Sequence, residues 1–268
     1  MNYIIYNPLA NNFNGDAVLE ESLKALEGTF SDLKPLSITE IDWDKFFDSL
    51  KKDDNIVLCG GDGTINRFAN IYYGKNVKGN FFLKYSGTGN DFARDIDETL
   101  TEKVIPLNKY LKKLPKVIIN GTETRFVNGI GFGIDGMTCV EAERLKAKGA
   151  KKIDYASITV KLLLFKYKGP SGTVTVDGKS KHYRKIWLAS TMNGKYYGGG
   201  MKIAPNQNRL GDTLTLCIFH DAWKLPVLMA FPTLFKGTHI AKKNMFDKRS
   251  LVGDEACRRR DNNLGRAP

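Results

Sequence analysis

The sequence predicts an α/β N-terminal domain with an open, mostly parallel, Rossmann-like sheet over residues 1–115. A mainly antiparallel β-sandwich domain with a helical insert follows over 116–245. Three observations predict this. Short apolar runs alternate with helix-period segments as far as Leu114-Pro115, the pattern of βα units. Two of those runs end in glycine-rich turns, which suit ligands outside the carboxyl ends of parallel strands. Beyond Lys116, Asn-Gly and Asp-Gly pairs separate strand-like runs, the mark of antiparallel hairpins.

Residues 3–6 read as the first strand. Residues 16–26 place Val18, Leu19, Leu23 and Leu26 at helical spacing, ending near Gly28. Residues 36–39 read as a strand and 44–50 as a helix. The strand at 56–59 leads into a helix at 65–72, and the strand at 81–85 into a short helix around Asp91. In the second domain, 116–120 and 125–129 flank the Asn120-Gly121 turn, and 173–177 and 182–190 flank Asp177-Gly178. Residues 214–219 add a strand. The helical insert occupies about 136–167, with Leu162, Leu163, Leu164 and Phe165 on its buried face. Residues 246–268 are polar and basic without strand periodicity and read as a disordered tail.

Composition narrows the function. A 42% hydrophobic and 26% charged chain is that of a soluble globular protein. No apolar run reaches the length of a membrane-spanning helix, and residues 3–6 open directly as a strand rather than a basic-plus-apolar leader. A cytoplasmic protein is the expectation. Cys59, Cys139, Cys217 and Cys257 are scattered with no Cys-x-x-Cys pair, so a zinc site is not expected. Cys59 and Cys217 lie in apolar runs and read as buried thiols. His182, His220 and His239 read as ordinary surface or loop residues. The net charge of +12 favours polyphosphate ligands, anionic membranes or nucleic acid. No nucleic-acid-binding motif is present. A basic run at 144–152 suits either a solvated helix end or an anionic lipid surface.

The chemistry concentrates in two loops. Gly60-Gly61-Asp62-Gly63-Thr64, followed by Asn66, ends the third strand. Its glycines let phosphate oxygens approach main-chain N–H groups. A carboxylate in such a cradle is unfavourable unless a cation or a proton transfer accompanies it, so Asp62 points to metal or acid/base work. The plainer alternative is a tight strand-to-helix turn with a capping Asp. Ser86-Gly87-Thr88-Gly89-Asn90-Asp91 ends the next strand, leading into Phe92-Ala93-Arg94. Neither loop is a Walker A motif or a Gly-x-Gly-x-x-Gly fingerprint.

Together these two loops resemble the catalytic domain of diacylglycerol and sphingosine kinases, above all the soluble bacterial lipid kinases. That superfamily also contains NAD kinases. Tyr6-Asn7-Pro8-Leu9-Ala10-Asn11 resembles the family's opening strand and Asn-Pro turn. Residues 126–133, Met192-Asn193-Gly194, Gly198-Gly199-Gly200, Ile203-Ala204-Pro205 and Leu210-Gly211-Asp212 resemble its second-domain signature. The resemblance implies an active site in the cleft between the domains. ATP would lie on Gly60, Gly61, Asp62, Gly63, Thr64 and Asn66, with Gly87, Thr88, Gly89, Asn90, Thr39, Asn7, Pro8 and Asn11 completing its site. Asp62 and Asp91 would be the catalytic carboxylates and position Mg²⁺ through water, since this ion retains several waters. Asp91 as a plain helix cap is the alternative. Asp212 matches an Asp whose turn holds a structural Mg²⁺ in some relatives, and a β-turn Asp serves equally, since Asp-Gly there becomes Asp212-Thr213.

Three departures stand against the family pattern. Arg67 replaces a usual Glu, and Ile118 lies near where some relatives carry an Asp. The family's C-terminal Asp-Gly-Glu motif is not found before Pro268, so the sequence reads as a truncated or altered member; Gly253-Asp254-Glu255 has its carboxylates in the wrong order. The resulting expectation is an ATP- and Mg²⁺-dependent lipid kinase making phosphatidic acid in phospholipid metabolism. It would be peripheral on the membrane, attracted to anionic phospholipid, with homodimerisation allowed and nucleic acid excluded. The alternatives are an NAD kinase and a catalytically impaired nucleotide- or membrane-binding remnant.

Overall fold

The computed structural model describes residues 1–8, 15–87, 89–150, 153–241 and 246–252. The N-terminal domain is built on a five-stranded sheet in the order β2-β1-β3-β4-β5. Its strands are β1 (Asn2–Tyr6), β2 (Leu33–Ser37), β3 (Asn55–Gly60), β4 (Asn80–Tyr85) and β5 (Ile105–Pro106). The first four run parallel; only the two-residue β5 is antiparallel. Helices α1 (Gly15–Leu26), α2 (Trp43–Ser49), α3 (Asp62–Tyr72), α4 (Asp91–Ile96) and α5 (Asn108–Leu111) connect them.

Alternation along the strands buries both sheet faces. Ile4, Val57 and Cys59 meet Leu26 and the apolar stripe of α1 on one face. Ile5, Ile56, Leu58, Phe81 and Leu83 meet Phe47 of α2 and Ile65, Phe68 and Tyr72 of α3 on the other. Two expected boundaries move. Helix α3 starts at Asp62, three residues before its first buried apolar residue, because a first turn needs no apolar side chain. Strand β2 starts earlier, at Leu33, drawn out by pairing with Asn2 of β1.

The second domain holds a four-stranded antiparallel sheet, β13-β12-β11-β8. These are β8 (Gly129–Gly133), β11 (Leu188–Met192), β12 (Thr213–Phe219) and β13 (Phe246–Val252). Hairpins β6 (Lys116–Ile119) with β7 (Thr122–Arg125), and β9 (Gly172–Val176) with β10 (Lys179–Tyr183), complete its strands. Leu214, Leu216 and Ile218 point toward the hairpins, joining Val117, Val176 and Tyr183. The alternate residues Cys217 and Phe219 point toward helices α6 (Ile134–Ala147), α7 (Tyr155–Phe165) and α8 (Lys224–Lys236).

Both Asn-Gly and Asp-Gly turns sit where the sequence put them, but β8 and β11 do not continue the hairpins. They pair with each other in the four-stranded sheet. The insert is two helices, and only Leu162 and Leu163 of its expected buried run are buried; Phe165 is 80% exposed. The run lies at the helix end, where the winding turns Leu164 and Phe165 away from the core. Residues 246–252, expected as tail, form β13 along the open edge of β12, whose main-chain groups offer pairing whatever the side-chain pattern. Residues 253–268, with Gly253-Asp254-Glu255 and Cys257, lie outside the described residues. Cys59 and Cys217 are buried thiols, as expected. His239 is buried instead of exposed, its Nε2 2.9 Å from the Ile203 carbonyl.

Candidate active site

Four parallel strands release their chains at one edge of the sheet. Asn7 and Pro8 follow β1, Thr39 follows β2, Gly61 follows β3 and Gly87 follows β4. This brings the described parts of the expected nucleotide site together; Asn11 and Thr88 lie outside the described residues. The second domain faces this edge across the linker at Phe126-Val127-Asn128.

Asp62 organises the meeting of the two glycine-rich loops. Asn90 adopts the left-handed conformation (φ 52°) and its side chain does not cap α4. The cap comes instead from the other loop. Asp62 Oδ2 accepts the Asp91 N–H (2.9 Å) and Oδ1 accepts the Phe92 N–H (2.8 Å). Glycine at 89 leaves room for the pairing, since a Cβ there would lie 3.2 Å from Asp62 Oδ2, close enough to push the carboxylate aside. Gly87 is required for another reason, its φ of +113°. Asp62 Oδ1 also accepts from Asn128 Nδ2 (2.8 Å), which ties both loops to the interdomain linker.

Asp91 turns the other way. Its carboxylate accepts the N–H groups of Gly199 (2.9 Å) and Gly200 (2.6 Å) in the second domain. Burial, then the Asp62 charge, lifts its pKa to about 6, and those two N–H groups oppose the shift. Asn66 is less a ligand of the open cleft than a strut, since its Oδ1 accepts the Val127 N–H at 3.0 Å. Thr39 is exposed with its hydroxyl 2.7 Å from that of Ser37. It stands beside a cavity of about 350 Å³ lined by Leu36, Ile41 and Phe46. Asp212 does not join Asp62 and Asp91. It is exposed and paired with Lys113. Arg67 is exposed on α3, and Ile118 lies in β6 opposite Glu123. In the basic run, Arg144 is bound to Glu141.

The network that holds this cleft was not legible in the sequence. Arg209, buried to 5% side-chain exposure, donates from Nε to Asp95 Oδ2 (2.7 Å). It also donates from its two terminal nitrogens to the Val127 carbonyl (2.6 Å) and Asn128 Oδ1 (2.8 Å), and it lies over the Phe92 ring. Because Arg209 takes the Asn128 carbonyl, the amide nitrogen is left facing Asp62. Asp95 Oδ1 accepts the Lys195 N–H. Deeper in the second domain, Asp135 accepts from Ser190 (2.6 Å) and Tyr197 (3.1 Å), and burial raises it to about 6 against those bonds. Asn128 stands inside a motif-bearing segment, while Arg209, Asp95 and Asp135 lie just outside such segments, so no local pattern marks the network.

The cleft has the features a polyphosphate requires. Helix α3 is preceded by Gly61 at its N-cap, with no side-chain cap on its N–H groups, and Gly63 has open space at its Cβ position. Asn90 Oδ1 and Arg94 Nε are buried there with no hydrogen-bond partner. Arg94, beside Gly200, supplies a cation. Among the described residues no three acidic, His or Cys side chains cluster as a metal cage. Asp62 and Asp91 alone suit an ion that takes its other ligands from phosphate and water.

A parallel α/β domain whose glycine-rich strand ends face an antiparallel β domain defines the class: a two-domain protein with glycine-rich loops in its cleft. The family model "Diacylglycerol kinase catalytic domain" matches residues 2–126. The model "YegS C-terminal NAD kinase beta sandwich-like domain" matches residues 128–251. The N-terminal domain thus matches the diacylglycerol kinase catalytic domain and the second domain the YegS C-terminal domain, the two matches together spanning most of the chain. It is similar to a diacylglycerol kinase of Mycobacterium tuberculosis (strain CDC 1551 / Oshkosh), at 25% identity over 77% of this chain and 68% of that protein. It also resembles YtlR of Bacillus subtilis (strain 168), provisionally named a lipid kinase, at 23% identity over 66% of this chain and 63% of YtlR. A solved structure from Bacillus anthracis str. Sterne, provisionally titled a diacylglycerol kinase, shares the fold: TM-score 0.60, 20% identity, 93% of this chain and 83% of that one.

Proposed function

We propose that this chain is an ATP-dependent lipid kinase that transfers the γ-phosphoryl group to the hydroxyl of diacylglycerol, giving phosphatidic acid. The observation that carries the reading is the Asp62 bridge, which joins both glycine-rich loops and the interdomain linker at the open N-terminus of α3. In this reading the Gly61–Gly63 N–H groups and Arg94 balance the polyphosphate charge. Asp62 and Asp91 would hold Mg²⁺, which when bound would neutralise charge on the phosphates. The acceptor hydroxyl oxygen attacks the γ-phosphorus, the bond from that phosphorus to the β,γ-bridging oxygen breaks, ADP leaves with that oxygen, and the hydroxyl proton is released to solvent. Asp91, ionised at neutral pH and fixed by Gly199 and Gly200, couples second-domain position to the reacting end of the nucleotide. Enclosure by both domains serves to exclude water, which would otherwise compete as acceptor.

The test is transfer of labelled γ-phosphate from Mg·ATP to diacylglycerol in mixed micelles, with the wild type beside Asp62→Ala. Phosphatidic acid formed by the wild type and lost in the variant is the expected result. NADP formed from NAD and ATP, with no phosphatidic acid, would replace the reading by NAD phosphorylation. ATP binding without transfer to either acceptor would replace it by a nucleotide-binding role.

A further inference from the structure

Three connecting segments of the second domain converge far from the cleft. Strand β8 runs from the Asn128 linker to Gly133, which pairs with Leu188 at the start of β11, so the chain before β11 lies at the distal end of the sheet. There the segments at 165–170, 184–187 and 220–225 are bound together. The Ile186 N–H donates to the Pro170 carbonyl and the Asp221 N–H to the Arg184 carbonyl. The Tyr167 hydroxyl donates to the Ile186 carbonyl, Trp187 Nε1 to the Ala222 carbonyl and Lys224 Nζ to the Leu164 carbonyl.

This tip presents large apolar side chains to water. Phe165 is 80% exposed, Trp223 76% and Leu225 68%, and Met229 carries the apolar row one turn further along α8. Lys166, Lys168, Lys185 and Lys224 are exposed around them, with Lys185 Nζ 4.1 Å from the Trp223 ring centre. Asp221, an acid of the 220–225 segment, is engaged by Arg184 and His220. Exposed apolar groups in one place mark an interaction surface. Trp and Phe flanked by lysines, whose apolar stems lie in the boundary region while their charges reach headgroups, fit a lipid interface. The chain's net charge of +12 has the sign for an anionic one.

We propose that this tip docks the protein on an anionic phospholipid bilayer by inserting Phe165, Trp223 and Leu225 while the four lysines engage the headgroups. The proposal rests on the lipid-kinase reading for why a bilayer is the partner, and its test needs neither ATP nor diacylglycerol.

Trp223 is the exposed one of the three tryptophans, so its emission reports on the tip. The full chain is titrated with phosphatidylglycerol/phosphatidylcholine vesicles and with phosphatidylcholine vesicles. The expected result is a blue shift on the anionic vesicles that high salt weakens. Phe165→Ser/Leu225→Ser, which keeps the reporter, should bind at least tenfold more weakly. Lys185→Gln/Lys224→Gln should lose about fivefold per lysine. Circular dichroism confirms that the variants fold. No blue shift, equal binding to both vesicles, or variants that bind like the parent would overturn the proposal. So would a parent dimer that these substitutions dissociate, which would make the tip a self-association surface. Phosphorylation of micellar diacylglycerol by a chain that ignores vesicles sinks docking alone. Docking without phosphorylation sinks the kinase reading alone.

Discussion

Arg209→Leu tests the network that spans the two domains. The guanidinium and the Asp95 carboxylate are 5% and 3% exposed, with Nε 2.7 Å from Oδ2. The substitution leaves Asp95 with the Lys195 N–H as its remaining described donor and strips donors from the Val127 carbonyl and the Asn128 side chain. Removing one partner of a buried pair strands an uncompensated charge, at a cost of about 3–5 kcal/mol. For a chain of this size that corresponds to a fall of about 10 °C in Tm. Urea unfolding followed by circular dichroism reads the loss directly. The second arm is Asp95→Asn on top of Arg209→Leu, which removes the stranded charge and should recover more than half of the lost stability. Arg209→Lys keeps the charge without the planar fork and should fall between the two. A single variant within about 1 kcal/mol of the parent, or a double variant no more stable than the single, would refute the reasoning.

Other expectations follow from the same geometry. Asp62→Ala removes the acceptor for two N–H groups at the start of α4 and should cost about 1–2 kcal/mol of stability, read by urea unfolding, while abolishing phosphoryl transfer. Gly60→Ala would set a Cβ 2.3 Å from Thr64 Oγ1 and should destabilise by about 1–3 kcal/mol. Gly63→Ala meets nothing within 4 Å, so its Tm should hold while KM for ATP rises, since the methyl group enters the open face of the helix terminus. Asp135 has a folded pKa raised to about 6, so the stability its protonated form contributes is full below pH 4 and lost as pH rises through 6. Asp135→Asn should therefore be more stable than the parent at pH 8, by about 1–3 kcal/mol, with the gap closing toward pH 4 in urea titrations.

Elsewhere the structure tempers what motif chemistry suggested. Asp62 and Asn66 look like ligand-facing residues when read in a glycine-rich loop. In the fold their side chains also hold the second loop and the linker, so their loss acts on the shape of the cleft as well as on its contents. Asp212, paired with Lys113, stands apart from both.

Much of the molecule was legible in residue order alone. Strands β1, β3 and β4, helix α1 and the two glycine-rich loops follow from apolar period and turn chemistry, which act over a few residues. The carboxyl-edge location of the site follows from those loops ending parallel strands. Tertiary structure decided the rest. Residues 62, 95, 128 and 209 meet only when the domains fold together, and no local pattern encodes a hydrogen bond between side chains so distant in sequence. The pairing of β8 with β11, and of β13 with β12, was set by which main-chain edges stood open, a property of the assembled sheet. The exposure of Phe165 was decided likewise: its apolar neighbours predict burial, and the position of α7 against the rest of the core turns that ring to solvent.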